Sequence, residues 1–329
     1  MALEVAAGEF VVGDFPFASG ETLPELRLAY QTLGSPDKPG VLAMHGTGGS
    51  GNQFLQPHFA EPMFGPGGLL DAAEHFVILP DAIGHGRSSK PSDGLRGRFP
   101  SYCYDDLVRA QHRLVTEHLG VRHLRLVMGT SMGGMHTWLW GSRWPGLMDG
   151  LVPLASLPTQ IAGRNRMIRK MMIDAIRLDP DWRNGEYAAQ PRGLRAALYL
   201  LFMMSSSPLA QQRAAPTRDE ADRFVVEWLD HRLARTDAND FLYQVASSRD
   251  YDPSPDLERI EAPLLAINSA DDEVNPPELG ILERLMPRVK RGRYVLLPIT
   301  EATRGHGTHT LPAVWGDHLK AFLARDLAR

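Results

Sequence analysis

Short uninterrupted apolar runs alternate along the chain with longer stretches whose apolar residues recur every three or four positions. The short runs lie at 41–45, 76–80, 124–128, 150–154, 263–268 and 294–297. Runs of this length, bounded by turn residues, predict buried strands. Between them, 105–119 places Leu107, Ala110, Leu114 and Val115 at helical spacing and stops at Gly120. That predicts a helix closed by a glycine in the left-handed region. Positions 135–144 and 315–327 predict two further helices, the last one closing the sheet. Strands alternating with helices in this way predict an α/β fold, a mostly parallel sheet with helices on both faces.

One stretch breaks the alternation. From 157 to 256 no run predicts a buried strand, and the chain is rich in Arg and Met. Its pieces at 167–178 and 194–204 have helical spacing, and Ser205-Ser206-Ser207-Pro208 predicts a loop. An insertion here stands over the C-terminal strand ends, where open α/β sheets keep their sites. The expected organisation is a core formed by 1–156 and 257–329 carrying a helical lid, 157–256. Met167, Met171, Met172, Met203 and Met204 fall in that lid, and flexible thioethers suit the lining of an acyl pocket.

The chemistry centres on Gly129-Thr130-Ser131-Met132-Gly133. This G-x-S-x-G follows the apolar run 124–128 and precedes a helical pattern, the strand–turn–helix setting of a nucleophile elbow. The turn is too tight for bulky neighbours, and Gly129, Gly133 and Gly134 supply the room. Ser131 is the expected nucleophile. The Met132 amide, at the helix start, is one expected oxyanion donor. A second glycine-rich loop, His45-Gly46-Thr47-Gly48-Gly49-Ser50, follows the run 41–45 and can bring further backbone to a substrate. It lacks the G-x-x-x-x-G-K spacing of a phosphate-binding loop. A serine nucleophile needs a base, and the base needs an orienting carboxylate, in the chain order Ser, acid, His. Asp271 and Asp272 follow the fifth apolar run; His306 and His309 follow the last.

Composition narrows the classes. The 329 residues are 43% hydrophobic and 22% charged, with a formal net charge of −4, so no nucleic-acid or anionic-membrane partner is expected. Cys103 is the single cysteine, which excludes an internal disulfide and fits a cytoplasmic setting. The segment 1–10 shows no signal-peptide pattern, and no run approaches the roughly 18 apolar residues of a membrane helix. Histidine and cysteine spacing predicts no metal site, and no cofactor is expected. The expected partner is a small-molecule ester, with a homodimer as the candidate assembly.

The residues also carry a resemblance. The chain resembles the homoserine O-acetyltransferase family within the α/β-hydrolases. The likeness runs through Leu28-Ala29-Tyr30-Gln31-Thr32-Leu33-Gly34, Asp106-Leu107-Val108-Arg109-Ala110-Gln111 and Gly129 to Met135. It continues in Asp179-Pro180-Asp181-Trp182-Arg183-Asn184-Gly185, Arg192-Gly193-Leu194, Asp237 to Tyr243 and Ile267-Asn268-Ser269. The matches inside 157–256 are the specific ones, since lids differ between families. The resemblance implies an α/β-hydrolase fold and Thr47 as the second oxyanion donor. It gives Asp81 and His85, in the D-x-x-G-x-G-x-S turn 81–88, structural roles. It implies Asp272 as the acid, from the spacing of 272–276, with Asp271 a turn former. It implies His306 as the base, from its Gly-His pair.

Two departures bear on the reaction. The transferases usually carry an Asp after the catalytic His, where it helps hold the homoserine ammonium; here that position is Gly307. Their glycine–cysteine–threonine-rich stretch is replaced at 84–89 by an ordinary hydrolase turn. Losing a carboxylate that pairs with a substrate ammonium costs several kcal/mol. The expected reaction is therefore ester hydrolysis through an acyl-enzyme on a Ser-His-Asp triad, with short acyl chains. The alternative is acetyl transfer from acetyl-CoA to homoserine or a similar alcohol. A non-catalytic scaffold on this fold would not need the complete set of Ser131, Asp272 and His306.

Overall fold

The computed structural model describes residues 3–327; residues 1, 2, 328 and 329, the outer ends of the expected core segments, lie outside the described residues. The strands are β1 (Val5–Pro16), β2 (Thr22–Leu33), β3 (Gly40–Met44), β4 (Phe76–Pro80), β5 (Leu124–Thr130), β6 (Leu151–Leu154), β7 (Leu264–Ser269) and β8 (Gly292–Leu297). They form one sheet in the order β1-β2-β4-β3-β5-β6-β7-β8. From β4 to β8 every pairing is parallel, while β1 and β2 join antiparallel at one edge. This is the α/β-hydrolase fold.

The central strands read as solid apolar runs because both faces are covered. Alternate residues point to opposite sides of a strand. Leu42 and Met44 of β3 and Val127 of β5 therefore enter one core, while Val41, Ala43, Leu126 and Met128 enter the other. The first core is closed by α2 (Tyr104–Arg113) and α3 (Met132–Arg143), through Leu107, Val108 and Trp138, and by α9 (Ile281–Leu285) through Leu282. The second is closed by α1 (Pro57–Phe64) and α10 (Pro312–Asp326), through Phe59, Met63, Trp315 and Phe322.

The structure differs from the sequence pattern at several elements, α1, α9 and the start of α10 at Pro312 among them. Strands β1 and β2 are not among the predicted runs. β1 is an edge strand paired only to β2, so most of its residues stay exposed and no apolar run forms. The predicted helix 105–119 is α2 followed by a π-helical turn, Leu114–His118, before Gly120 at φ 66°. α3 begins at Met132, three residues before its predicted start, because Ser131 turns directly into it.

Between β6 and β7 the described chain holds no strand but five α-helices: α4 (Gly163–Arg177), α5 (Arg192–Ser205), α6 (Pro208–Ala214), α7 (Arg218–Leu233) and α8 (Ala238–Ala246). α4, α5, α7 and α8 share a core of their own that includes Ile176, Leu194, Leu198, Leu229 and Phe241, while α6 buries no residue. Polar ties fasten them below. Gln244 Nε2 donates to the Gly84 carbonyl at 2.7 Å, and the Ser92 amide donates to Asp240 Oδ1 at 2.8 Å. No helix among the described residues is long and apolar enough to cross a membrane.

Candidate active site

Ser131 sits between β5 and α3 at φ 55°, ψ −110°, a left-handed backbone that non-glycine residues adopt only when the surroundings hold them there. Here the surroundings are explicit. The Ser131 amide donates to the Leu154 carbonyl at 2.9 Å, and the Ser131 carbonyl accepts the Met135 amide at 2.9 Å. The turn also brings backbone against backbone. A Cβ on Gly129 would collide with the Gly133 carbonyl, and one on Gly133 with the Met44 carbonyl of β3. Glycine is therefore a steric requirement of the elbow.

Loops after β7 and β8 bring an acid and a histidine to the serine. His306 Nε2 lies 2.8 Å from Ser131 Oγ, and His306 Nδ1 lies 2.9 Å from Asp272 Oδ2. Asp272 is 1% exposed. Burial pushes its carboxyl up, but the neighbouring His306 and the hydrogen bonds it accepts outweigh this and hold it below its ordinary value. An ionised Asp272 can only accept, so His306 Nδ1 carries the proton and neutral His306 presents Nε2 as an acceptor to the Ser131 hydroxyl. Asp272 is itself held in place. Oδ1 accepts the amides of Val274 (2.8 Å) and Asn275 (3.2 Å), and Oδ2 also accepts Asn275 Nδ2 (3.2 Å).

The neighbouring candidates have other positions. Asp271 accepts the Gly305 amide at 2.8 Å and the Ser269 hydroxyl at 2.5 Å, tying the histidine loop to the end of β7. His309 packs edge-on against His306, with ring centroids 5.1 Å apart. Burial above all pushes its pKa down to about 3.

Thr47 lines the cavity in front of Ser131, and Met132 is the first residue of α3. The first amides of a helix have no intrahelical acceptor. The Gly46 amide is already engaged by Gln53 Oε1 at 3.2 Å, and Gln53 Nε2 donates to Thr130 Oγ1 at 2.8 Å. Asp81 stabilises the base of this loop by accepting the amides of Gly51 (2.7 Å) and Arg87 (2.8 Å). His45 donates from Nδ1 to the Gly46 carbonyl (2.8 Å) and accepts the Ala82 amide at Nε2 (3.1 Å). That pattern needs a neutral ring, and burial lowers the His45 pKa accordingly. His85 Nδ1 donates to the Ile83 carbonyl at 3.0 Å.

These groups open into a cavity of about 520 Å³, roofed by the helices between β6 and β7. Met172 and Met204 line it; Met167, Met171 and Met203 are exposed instead. No Asp or Glu is among its lining residues, and Gly307 is. Gln53, Arg169 and Arg232 take part in the site although no sequence motif marks them, and Asn275 falls within the acid turn 272–276. Among the described residues no group of His, Cys, Asp and Glu could hold a metal ion.

Known proteins resemble this chain in sequence and in structure. The alpha/beta hydrolase fold family matches residues 39–295. The homoserine O-acetyltransferase of Haloferax prahovense is 32% identical over 305 residues, covering 78% of this chain and 72% of the relative. The crystal structure of a homoserine O-acetyltransferase from Bacillus anthracis superposes with a TM-score of 0.86 at 21% identity, covering 98% of this chain and 99% of the other. An acetylester hydrolase from Corynebacterium glutamicum gives 0.84 at 20% identity, covering 96% and 95%. At these identities the structural likeness speaks for the fold alone.

Proposed function

Since the chain belongs to the α/β-hydrolase fold family and stands by sequence with the homoserine O-acetyltransferases, we propose that it is a serine ester hydrolase working through an acyl-enzyme on Ser131. The observation that carries this reading is the unbroken hydrogen-bond chain from Asp272 through His306 to Ser131 at the cavity floor. As Ser131 Oγ attacks the acyl carbonyl, its proton passes to His306 Nε2. The resulting imidazolium is stabilised by Asp272, which remains ionised. The tetrahedral oxyanion is held by the amides of Thr47 and Met132; one such donor is worth about 2.7–4 kcal/mol elsewhere. His306 then protonates the leaving alkoxide, and the alcohol departs. In the second half His306 takes a proton from the water that attacks the acyl-enzyme and returns it to Ser131 Oγ as the acid leaves.

Water is the acceptor in this reading because the cavity offers no carboxylate to an ammonium. A homoserine amino group brought beside His306 meets Gly307 and no carboxylate on the lining. Leaving a buried charge unpaired is costly. The acyltransferase reading is favoured by the sequence relatives, and one product assay separates the two. Purified protein should release acetate from a simple acetyl ester with no added acceptor, and millimolar homoserine should neither divert nor speed that release. Capture of most of the acetyl group by homoserine would restore the transferase. Gly307→Asp is open to trial, since a Cβ there meets only Arg304 Cβ at 3.8 Å, and it should shift the product ratio toward transfer. A cytoplasmic setting belongs to the same reading, since a lone cysteine needs no oxidising compartment.

A further inference from the structure

The cavity lacks carboxylates but contains two guanidiniums. Arg169 of α4 is only 5% exposed. Its Nε donates to Asn165 Oδ1 at 2.9 Å and its Nη1 to Ser248 Oγ at 3.1 Å, both neutral acceptors. Arg232, near the end of α7, has a buried Nε with no hydrogen-bond partner. Its Nη2 reaches the glycine loop, 3.5 Å from where a Cβ on Gly48 would stand. Both line the cavity that holds Ser131, and neither forms an ion pair among the described residues. Thr47 lies on the same wall.

A guanidinium stays charged at any physiological pH, and burying it without a counter-ion is unfavourable. Two in one cavity, with no acid on the lining, leave a positive site that the protein itself does not neutralise. A structural arginine as deep as Arg169 is normally paired, and Arg232 is half-buried beside it. The charge missing from the protein is then supplied by what enters. The planar fork of a guanidinium matches a carboxylate.

We propose that the cavity takes esters that carry a carboxylate, held by Arg169 and Arg232 while Ser131 attacks the ester carbonyl. The proposal rests on the esterase reading and gives it a substrate class. The reaction is unchanged: anionic ester and water give acid and alcohol, and the second carboxylate is a spectator. An ammonium-bearing substrate is disfavoured by the same two charges.

The test compares esters that differ only in charge. Monoethyl succinate against ethyl butyrate places the carboxylate on the acyl side; para-acetoxybenzoate against para-tolyl acetate places it on the alcohol side. Wild-type protein should favour the anionic member of at least one pair in kcat/KM by about tenfold to a hundredfold, the range of one charged hydrogen-bonded contact. Arg232→Met and Arg169→Met should each bring that ratio back toward one. Arg169 also ties α4 to Ser248, so if its variant fails to fold, Arg232→Met alone decides. Calorimetric binding of the corresponding amides, which the enzyme turns over too slowly to matter, gives a readout independent of hydrolysis. Preference for the neutral member of both pairs, with no preference for the anionic amides, would overturn the carboxylate site and leave the esterase standing. An anionic preference unchanged in Arg232→Met would overturn its assignment to these arginines. No hydrolysis of any ester, with tight anionic-amide binding lost in Arg232→Met, would overturn the esterase and leave the site.

Discussion

Replacing Asp272 by Asn keeps shape and removes charge, and the hydrogen bonds around it fix how the new amide must sit. Oδ1 accepts two backbone amides, from Val274 and Asn275, at 2.8 and 3.2 Å. An NH2 group placed there would face two donors. The Asn oxygen therefore takes the Oδ1 position, and its NH2 faces His306 Nδ1 and the single side-chain donor Asn275 Nδ2, which can turn away more readily than two backbone amides. To accept from that NH2, the imidazole must move its proton to Nε2. An Nε2–H cannot accept from the Ser131 hydroxyl, so the base is present in the wrong tautomer. The same exchange in serine proteases lowers kcat by about four orders of magnitude, which is about 5.5 kcal/mol at 1.36 kcal/mol per tenfold. Steady-state hydrolysis of para-nitrophenyl acetate checks it, with a thermal melt to show that the variant is folded. Asp271→Asn is the control: it weakens a tie to the Gly305 amide but leaves the tautomer alone, and should cost about tenfold or less. A folded Asp272→Asn within tenfold of wild type, or an Asp271→Asn more damaged than it, would refute this reasoning.

Three further outcomes are expected. Gly133→Ala drives a methyl into the Met44 carbonyl of β3, a collision with backbone on a packed element, and should cost more than the roughly 1–3 kcal/mol of ordinary overpacking; a normal denaturation midpoint would contradict it. Asp272 has its carboxyl held below its unfolded value, so its contribution to stability is present above about pH 4 and is lost as pH falls through the folded value. In urea denaturation the stability gap between wild type and Asp272→Asn should therefore narrow on acidification below about pH 4, and a gap that stays constant would count against it. Burial first of all pushes the Cys103 thiol up to about 11, so iodoacetamide should react sluggishly at pH 8 and Cys103→Ser should hydrolyse esters normally; rapid labelling with loss of activity would contradict both.

The parallel part of the sheet was readable because two helical layers bury both faces of β3, β4, β5, β6 and β7, leaving apolar runs in the sequence. β1 left no such run, being covered by a single neighbour. The elbow was readable because backbone crowding at Gly129 and Gly133 forces a motif. The choice between Asp271 and Asp272, or between His306 and His309, came from resemblance, since adjacent turn residues look alike until hydrogen bonds separate them. Gln53 and Asn275 act by fastening one loop to another, and nothing in their local sequence records that. Arg169 and Arg232 belong to helices whose faces meet the cavity only once the five helices between β6 and β7 have packed together.

The most direct test is a rapid-quench mass measurement of the protein mixed with an acetyl ester and no other acceptor. An acetyl group should appear on Ser131, be absent from Ser131→Ala, and decay to acetate at the rate of turnover. An acetyl group on another residue, or one that stays on Ser131 until an alcohol is added, would contradict a hydrolase that uses this serine and water.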